Sequence, residues 1–210
     1  MLLYDYFRSS ACFRVRIALN LKGLTAERRY IHLRKGEQRN PDYLAVNPQG
    51  LIPLLVVGDR RISQSLAIME YLDEKHPQPP LLPVGPEERA FVRSIALAIA
   101  CDIHPIDNTR VMAYLEREFS VDQPGRDDWY RHWIRLGFEA IEQQLAGRST
   151  PFCAGTTPTI ADVCLVPQVF NSKRVNLDLA PFPRIRAVFD ACMALPAFAD
   201  AQPSRQADAE

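Results

Sequence analysis

Apolar residues in the first third of the chain follow two rhythms. Leu2 to Tyr6 is a short apolar run of strand length. From Ala11 to Lys22, Phe13, Ile17 and Leu21 recur at i, i+4 and i+8, which marks one buried helix face ending before Gly23. Ala26 to Leu33 again has strand length, so the chain opens as strand, helix, strand. After Asn40-Pro41 and Asn47-Pro48-Gln49-Gly50, two short runs, Leu54 to Val57 and Arg61 to Ser63, flank Gly58-Asp59, a turn dipeptide at hairpin spacing. Ser65 to Lys75 predicts a closing helix.

Between His76 and Pro86, five of the chain's 17 prolines break any regular element. This divides the chain into an α/β unit over 1–76, a linker over 77–85 and an all-helical unit over 86–210. Pro86 suits the first turn of a long helix. Trp129, Trp133, Leu136 and Ala140 form an i, i+4, i+7, i+11 stripe in another, and further helices are expected over 159–171 and 183–195. Thr159-Ile160-Ala161-Asp162 has capping-box spacing, with Asp for the usual Glu or Gln. The polar stretch Gln202 to Glu210 is expected to fray.

Composition removes several classes of function. With 47% hydrophobic and 24% charged residues the chain is globular rather than disordered. Its 25 basic and 25 acidic residues cancel, which argues against a nucleic-acid partner. The longest apolar stretch, Ile95 to Cys101, is far short of the roughly 20 residues that cross a bilayer. No membrane partner is expected. The first residues lack the basic start of a secretion signal, so the expected compartment is cytoplasmic. Five cysteines without a CxxC pair fit neither a disulfide framework nor a zinc site, and no metal is expected.

The candidate chemistry lies where the first strand meets the first helix. In Tyr6-Phe7-Arg8-Ser9-Ser10-Ala11-Cys12, two serines fall at a helix start, whose unpaired N–H groups and partial positive charge suit an anion such as a thiolate. The same serines would also serve as a plain N-cap. Leu51-Ile52-Pro53-Leu54-Leu55 places a proline ahead of an apolar strand, and Gln64-Ser65 opens the next helix. Further on, Pro105 in Cys101-Asp102-Ile103-His104-Pro105 should kink a helical stretch. His104 reads as a general acid or base, a ligand contact or a structural histidine.

In this order and spacing, Arg8-Ser9-Ser10, Arg14-Val-Arg-Ile-Ala-Leu19, Asn47-Pro48, Gln64-Ser65-Leu-Ala-Ile68, Leu165-Val-Pro-Gln168 and Gln202-Pro203 resemble the soluble glutathione transferases, most closely the zeta class with its maleylacetoacetate and maleylpyruvate isomerases. The resemblance covers essentially the whole chain. It implies a thioredoxin-like domain followed by a helical bundle, a cis Ile52-Pro53 bond, glutathione as cofactor and a homodimer. By the same resemblance Ser9 and Ser10 are catalytic, Tyr6 being a remoter candidate, and Ile52, Pro53, Gln64, Ser65, His104 and Asn108 bind glutathione. Arg8, Arg110 and Arg174 match positions associated with a small dicarboxylate substrate, a role to which planar guanidinium groups are suited. Other arginines, Arg14 and Arg16 included, are expected to be solvated or ion-paired.

The implied reaction is conversion of maleylacetoacetate to fumarylacetoacetate by reversible thiolate addition. Maleylpyruvate isomerisation and general conjugation of small electrophiles are the alternatives. The family's Ser-Ser-Cys is here Ser9-Ser10-Ala11-Cys12, so the family cysteine is not carried over. Cys12 could instead support a monothiol reductase, and a non-enzymatic adaptor would share the fold without the site.

Overall fold

Strand β1 (Leu2–Asp5), helix α1 (Ser10–Leu21) and strand β2 (Glu27–Tyr30) form a parallel β–α–β unit in which Leu2 faces Glu27 and Asp5 faces Tyr30. Helix α2 (Pro41–Val46) leads to the hairpin of β3 (Leu54–Val57) and β4 (Arg60–Ser63). Its turn starts at Gly58 with φ of +57°, a backbone conformation glycine adopts without a Cβ clash. β3 runs antiparallel to β1, giving the order β2–β1–β3–β4, and α3 (Ser65–Lys75) follows β4. The computed structural model describes residues 1–210. They fold as two compact units, Met1–Leu82 with Met193–Glu210, and Pro83–Cys192.

In the first unit α1 packs against α3 and against the short helix α9 (Pro196–Ala199). Every residue from Ser10 to Leu19 is therefore buried, and not just Phe13 and Ile17, while Leu21 of the expected stripe is half-buried. The stretch Gln202 to Glu210, expected to fray, is held in place: the Phe7 N–H donates to Asp208 at 2.9 Å and His32 Nε2 lies 2.8 Å from Glu210 Oε1. The residues before it are packed as well. Asn20 donates to the Ala197 carbonyl at 3.0 Å, Arg16 Nε to the Ala201 carbonyl at 2.9 Å, and Phe198 is fully buried. The proline-rich stretch is also packed. Leu81 and Leu82 are buried, and the Lys22 ammonium bonds Asp73 together with the carbonyls of His76 and Pro79.

The second unit holds α4 (Pro86–Leu97), a π-helical segment (Ala98–Ile103), α5 (Thr109–Phe119), α6 (Gln123–Leu145), α7 (Ile160–Arg174) and α8 (Pro183–Met193). α4 packs on α7, which is buried almost throughout. Asp162 closes the expected capping box by accepting the Thr159 N–H at 2.7 Å, and it also accepts the Cys153 N–H at 2.8 Å. The stripe expected on α6 is corrected. Ile134, Phe138, Ile141 and Leu145 are buried, while Trp129 and Trp133 are half-buried and Leu136 and Ala140 exposed. Both sets share one spacing, so periodicity could not choose between the faces. No helix is long and apolar enough to cross a membrane.

Candidate active site

The loop from β1 into α1 is built by buried charge. Asp5, with no exposed surface, accepts from its neighbour's main chain at Tyr6 (2.8 Å), from Arg16 (2.8 Å) and from Arg28 (2.5 Å). The Arg16 guanidinium also reaches the carbonyls of Tyr6 (3.3 Å) and Phe7 (3.0 Å). Such burial is tolerable because each charge is paired and hydrogen-bonded. Arg14 and Arg16 are thus interior groups, among the largest fully buried side chains, rather than solvated ones.

Ser9 is the N-cap of α1, and its Oγ accepts the Cys12 N–H at 3.2 Å. Accepting that bond leaves the hydroxyl proton available for an anion. No acidic residue occupies the first turn of α1, so its positive end is not neutralised. Ser10, the first helical residue, is buried, whereas Ser9 is half-buried. The Cys12 thiol is fully buried, and desolvation pushes its titration far above the ordinary range. That removes the physical basis of a reductase, which needs an accessible thiolate. Tyr6 is likewise interior, its ring 4.9 Å from Phe7 and 5.0 Å from His32, and burial raises its hydroxyl.

The remaining candidates of the first unit are drawn together by packing. Ile52 shares one apolar cluster with Tyr6, Phe7 and Cys12, and the Ile52–Pro53 bond is cis. A second cis bond, Gln78–Pro79, had no signal in the sequence. The β1–β3 ladder ends at Tyr4 and Leu54, leaving the main chain of Ile52 outside the sheet. Gln64 is exposed and has φ of +70° at the start of α3, a conformation unusual for a residue with a side chain. Beside it, buried Ser65 accepts from Arg14 at 3.3 Å across 51 residues, which ties the start of α3 to α1.

In the second unit the π-helical segment ends with the His104 N–H on the Ile99 carbonyl at 2.9 Å, and Pro105 follows at the break. Asn108 caps α5 by accepting the Arg110 N–H at 3.1 Å. Arg110 and Arg174 are exposed, at the start of α5 and the end of α7. In the first unit Arg8 is exposed too, its guanidinium 5.7 Å from the centroid of the Phe7 ring. None of these three arginines is in a salt bridge within the chain.

Between His104 and Asn108 lies a residue the sequence reading missed. Asp107 is buried, neither of its oxygens is hydrogen-bonded, and desolvation pushes its carboxyl up to about 8. Half-buried Tyr130 feels both Asp107 and Arg174, so the turn, α6 and the end of α7 share one electrostatic neighbourhood. Arg14 and Arg16 had a signal in the sequence. They sit in a helix apolar on nearly every side, which forces them inside. Asp107 had none.

The chain matches the glutathione S-transferase N-terminal domain over residues 8–75 and the C-terminal domain over residues 134–191. A probable maleylacetoacetate isomerase of Vibrio cholerae is 46% identical, covering 100% of this chain and 98% of the relative. The maleylpyruvate isomerase of a Ralstonia species is 44% identical over 99% of each. A holo structure of a maleyl pyruvate isomerase, described as a bacterial zeta-class glutathione S-transferase, superposes with a TM-score of 0.98 at 44% identity over all of both chains. A maleylacetoacetate isomerase from Methylobacterium extorquens, solved with malonate and glutathione bound, gives 0.96 at 38% over all of both. The chain belongs to the glutathione S-transferase family. Within it, these likenesses place the chain in the zeta class, among the maleylacetoacetate and maleylpyruvate isomerases.

Proposed function

We propose that the chain is a glutathione-dependent cis–trans isomerase that converts maleylacetoacetate to fumarylacetoacetate. The observation that carries this reading is Ser9. Its hydroxyl oxygen accepts the Cys12 N–H, at the start of a helix whose first turn holds no carboxylate.

The residues present fit glutathione. Ile52 has main-chain groups outside the sheet, where an extended peptide can pair with them, and Pro53 sets their direction. Ser65 offers a hydroxyl at the start of an 11-residue helix, again without an acid in its first turn, which suits a carboxylate. Gln64 holds its strained conformation beside it, and His104 and Asn108 complete the proposed contacts. When bound, glutathione supplies the thiolate that adds to the substrate's cis double bond and departs after rotation. Ser9, with Ser10 behind it, holds the sulfur ionised by donating a hydrogen bond and by presenting helix N–H groups. Arg8, Arg110 and Arg174, free of internal ion pairs, grip the carboxylates of a small dicarboxylate and stabilise developing negative charge.

The reading includes a homodimer in the cytoplasm. Maleylpyruvate is the second substrate to test, since the structural neighbour at a TM-score of 0.98 is a maleyl pyruvate isomerase. The deciding experiment supplies both substrates with catalytic glutathione to the wild type, Ser9→Ala and Arg174→Ala. Ser9→Ala should lose kcat and Arg174→Ala should raise KM. Turnover unchanged in both variants would refute the assignment.

A further inference from the structure

The β1–α1 loop satisfies almost all of its main chain locally. The Asp5 carbonyl accepts from Ile31, Tyr6 N–H donates to the Asp5 carboxylate, and the Tyr6 carbonyl accepts from Ser9 and Arg16. The Phe7 carbonyl accepts from Arg16, and the Ser9 carbonyl from Phe13. One group is different. The Phe7 N–H donates at 2.9 Å to Oδ2 of Asp208, a residue 201 positions away. Phe7 is only 5% exposed, so water is a poor replacement.

Asp208 does not arrive alone. The Arg16 guanidinium that holds the Tyr6 and Phe7 carbonyls also donates to the Ala201 carbonyl, so one side chain fastens both segments. At its end, His32 Nε2 lies 2.8 Å from Oε1 of Glu210. His32 Nδ1 accepts the Lys35 N–H at 3.2 Å, which puts the proton on Nε2, where it can donate to that carboxylate. The His32 ring packs against Tyr6, 5.0 Å between centroids. The segment is therefore fastened at three points, by Arg16, Phe7 and His32, next to the loop that carries Arg8 and Ser9.

We propose that residues 201–210 clasp the loop bearing Ser9, and that Asp208 is a positioning residue: by accepting the Phe7 N–H it fixes the peptide that aims Ser9 at the sulfur of bound glutathione. The proposal rests on the reading of Ser9 as partner of that thiolate. A side chain that only anchored a surface segment would affect stability alone. Asp208 should also alter ionisation of the ligand, because misaiming a hydrogen-bond donor weakens its hold on the charged form.

The test uses the full chain as wild type, Asp208→Ala and Asp208→Asn. The thiol of bound glutathione is titrated by its ultraviolet thiolate absorbance, kcat and KM are measured for isomerisation, and exchange of the Phe7 amide is followed by NMR. Asp208→Ala should raise the thiol pKa by about one unit and lower kcat by roughly tenfold with little change in KM. Asp208→Asn, whose amide oxygen can still accept, should restore both. In the wild type the Phe7 amide should be protected, a result independent of how the variants fold. Wild-type titration and kcat in Asp208→Ala, equal damage in both variants, or a freely exchanging Phe7 amide would each overturn the clasp. Failure of the wild type to ionise glutathione would instead refute the reading of Ser9, and the positioning role with it.

Discussion

A serine hydroxyl can accept and donate at once, and the Cys12 N–H on Ser9 at 3.2 Å leaves its proton for something else. Hydrogen bonds to charged partners contribute about 1.5–3 kcal/mol. Ser9→Ala should therefore lower kcat/KM by roughly ten- to a hundredfold, measurable at saturating glutathione, and a loss under twofold would contradict the role. Asp107 invites a second test. Its carboxyl titrates near 4 when unfolded and at about 8 in the fold. Between those values the folded state keeps a proton the unfolded chain releases, so stability falls as pH rises, by up to about 1.4 kcal/mol per unit. Urea denaturation should show Asp107→Asn gaining on the wild type from pH 5 to 8. A gap that stays constant over that range would mean the carboxyl is not buried unpaired.

At the scale of elements, α1 shows what a sequence pattern can and cannot carry. Phe13, Ile17 and Leu21 announced a helix with one apolar face. Packing against α3 and α9 then buried the other faces and turned Arg14 and Arg16 into interior braces. Removing one partner of a buried pair typically costs about 3–5 kcal/mol. Arg16→Met should lose that much in chemical denaturation, and a cost below about 1 kcal/mol would show that the pair is dispensable. α6 gives a sign reversal. Gly137 is a helix-interior glycine, where alanine normally stabilises by about 1 kcal/mol. Here an added Cβ would lie 2.2 Å from Cδ1 of Ile103 in the π-helical segment. Gly137→Ala should instead destabilise by about 1–3 kcal/mol, and a rise in melting temperature would contradict the packing.

Across the whole molecule, legibility followed sequence distance. The strands, helices α1, α3, α4, α6, α7 and α8, the Gly58-Asp59 hairpin and the Thr159–Asp162 cap were readable because their signals repeat or close within about a dozen residues, whereas α2, in a stretch that reads as a loop, α5 and α9 were not. The serines at the start of α1 were readable for the same reason. The Arg14–Ser65 bond and the grip of Asp208 on Phe7 join residues 51 and 201 apart, and no local pattern records them. The polar composition of residues 202–210 even pointed the wrong way, since their acidic side chains are used as hydrogen-bond acceptors. The cis bond at Pro53 came from resemblance alone, because only about 5% of such bonds are cis in folded proteins.

An isomerase of this kind uses glutathione and returns it. Maleylacetoacetate in large excess over glutathione, with product and total free thiol followed together, tests this most directly. Many turnovers for each glutathione with the thiol undiminished are predicted, and turnover should collapse in Ser9→Ala. Thiol consumed one for one with substrate, or equal turnover without glutathione, would contradict the account.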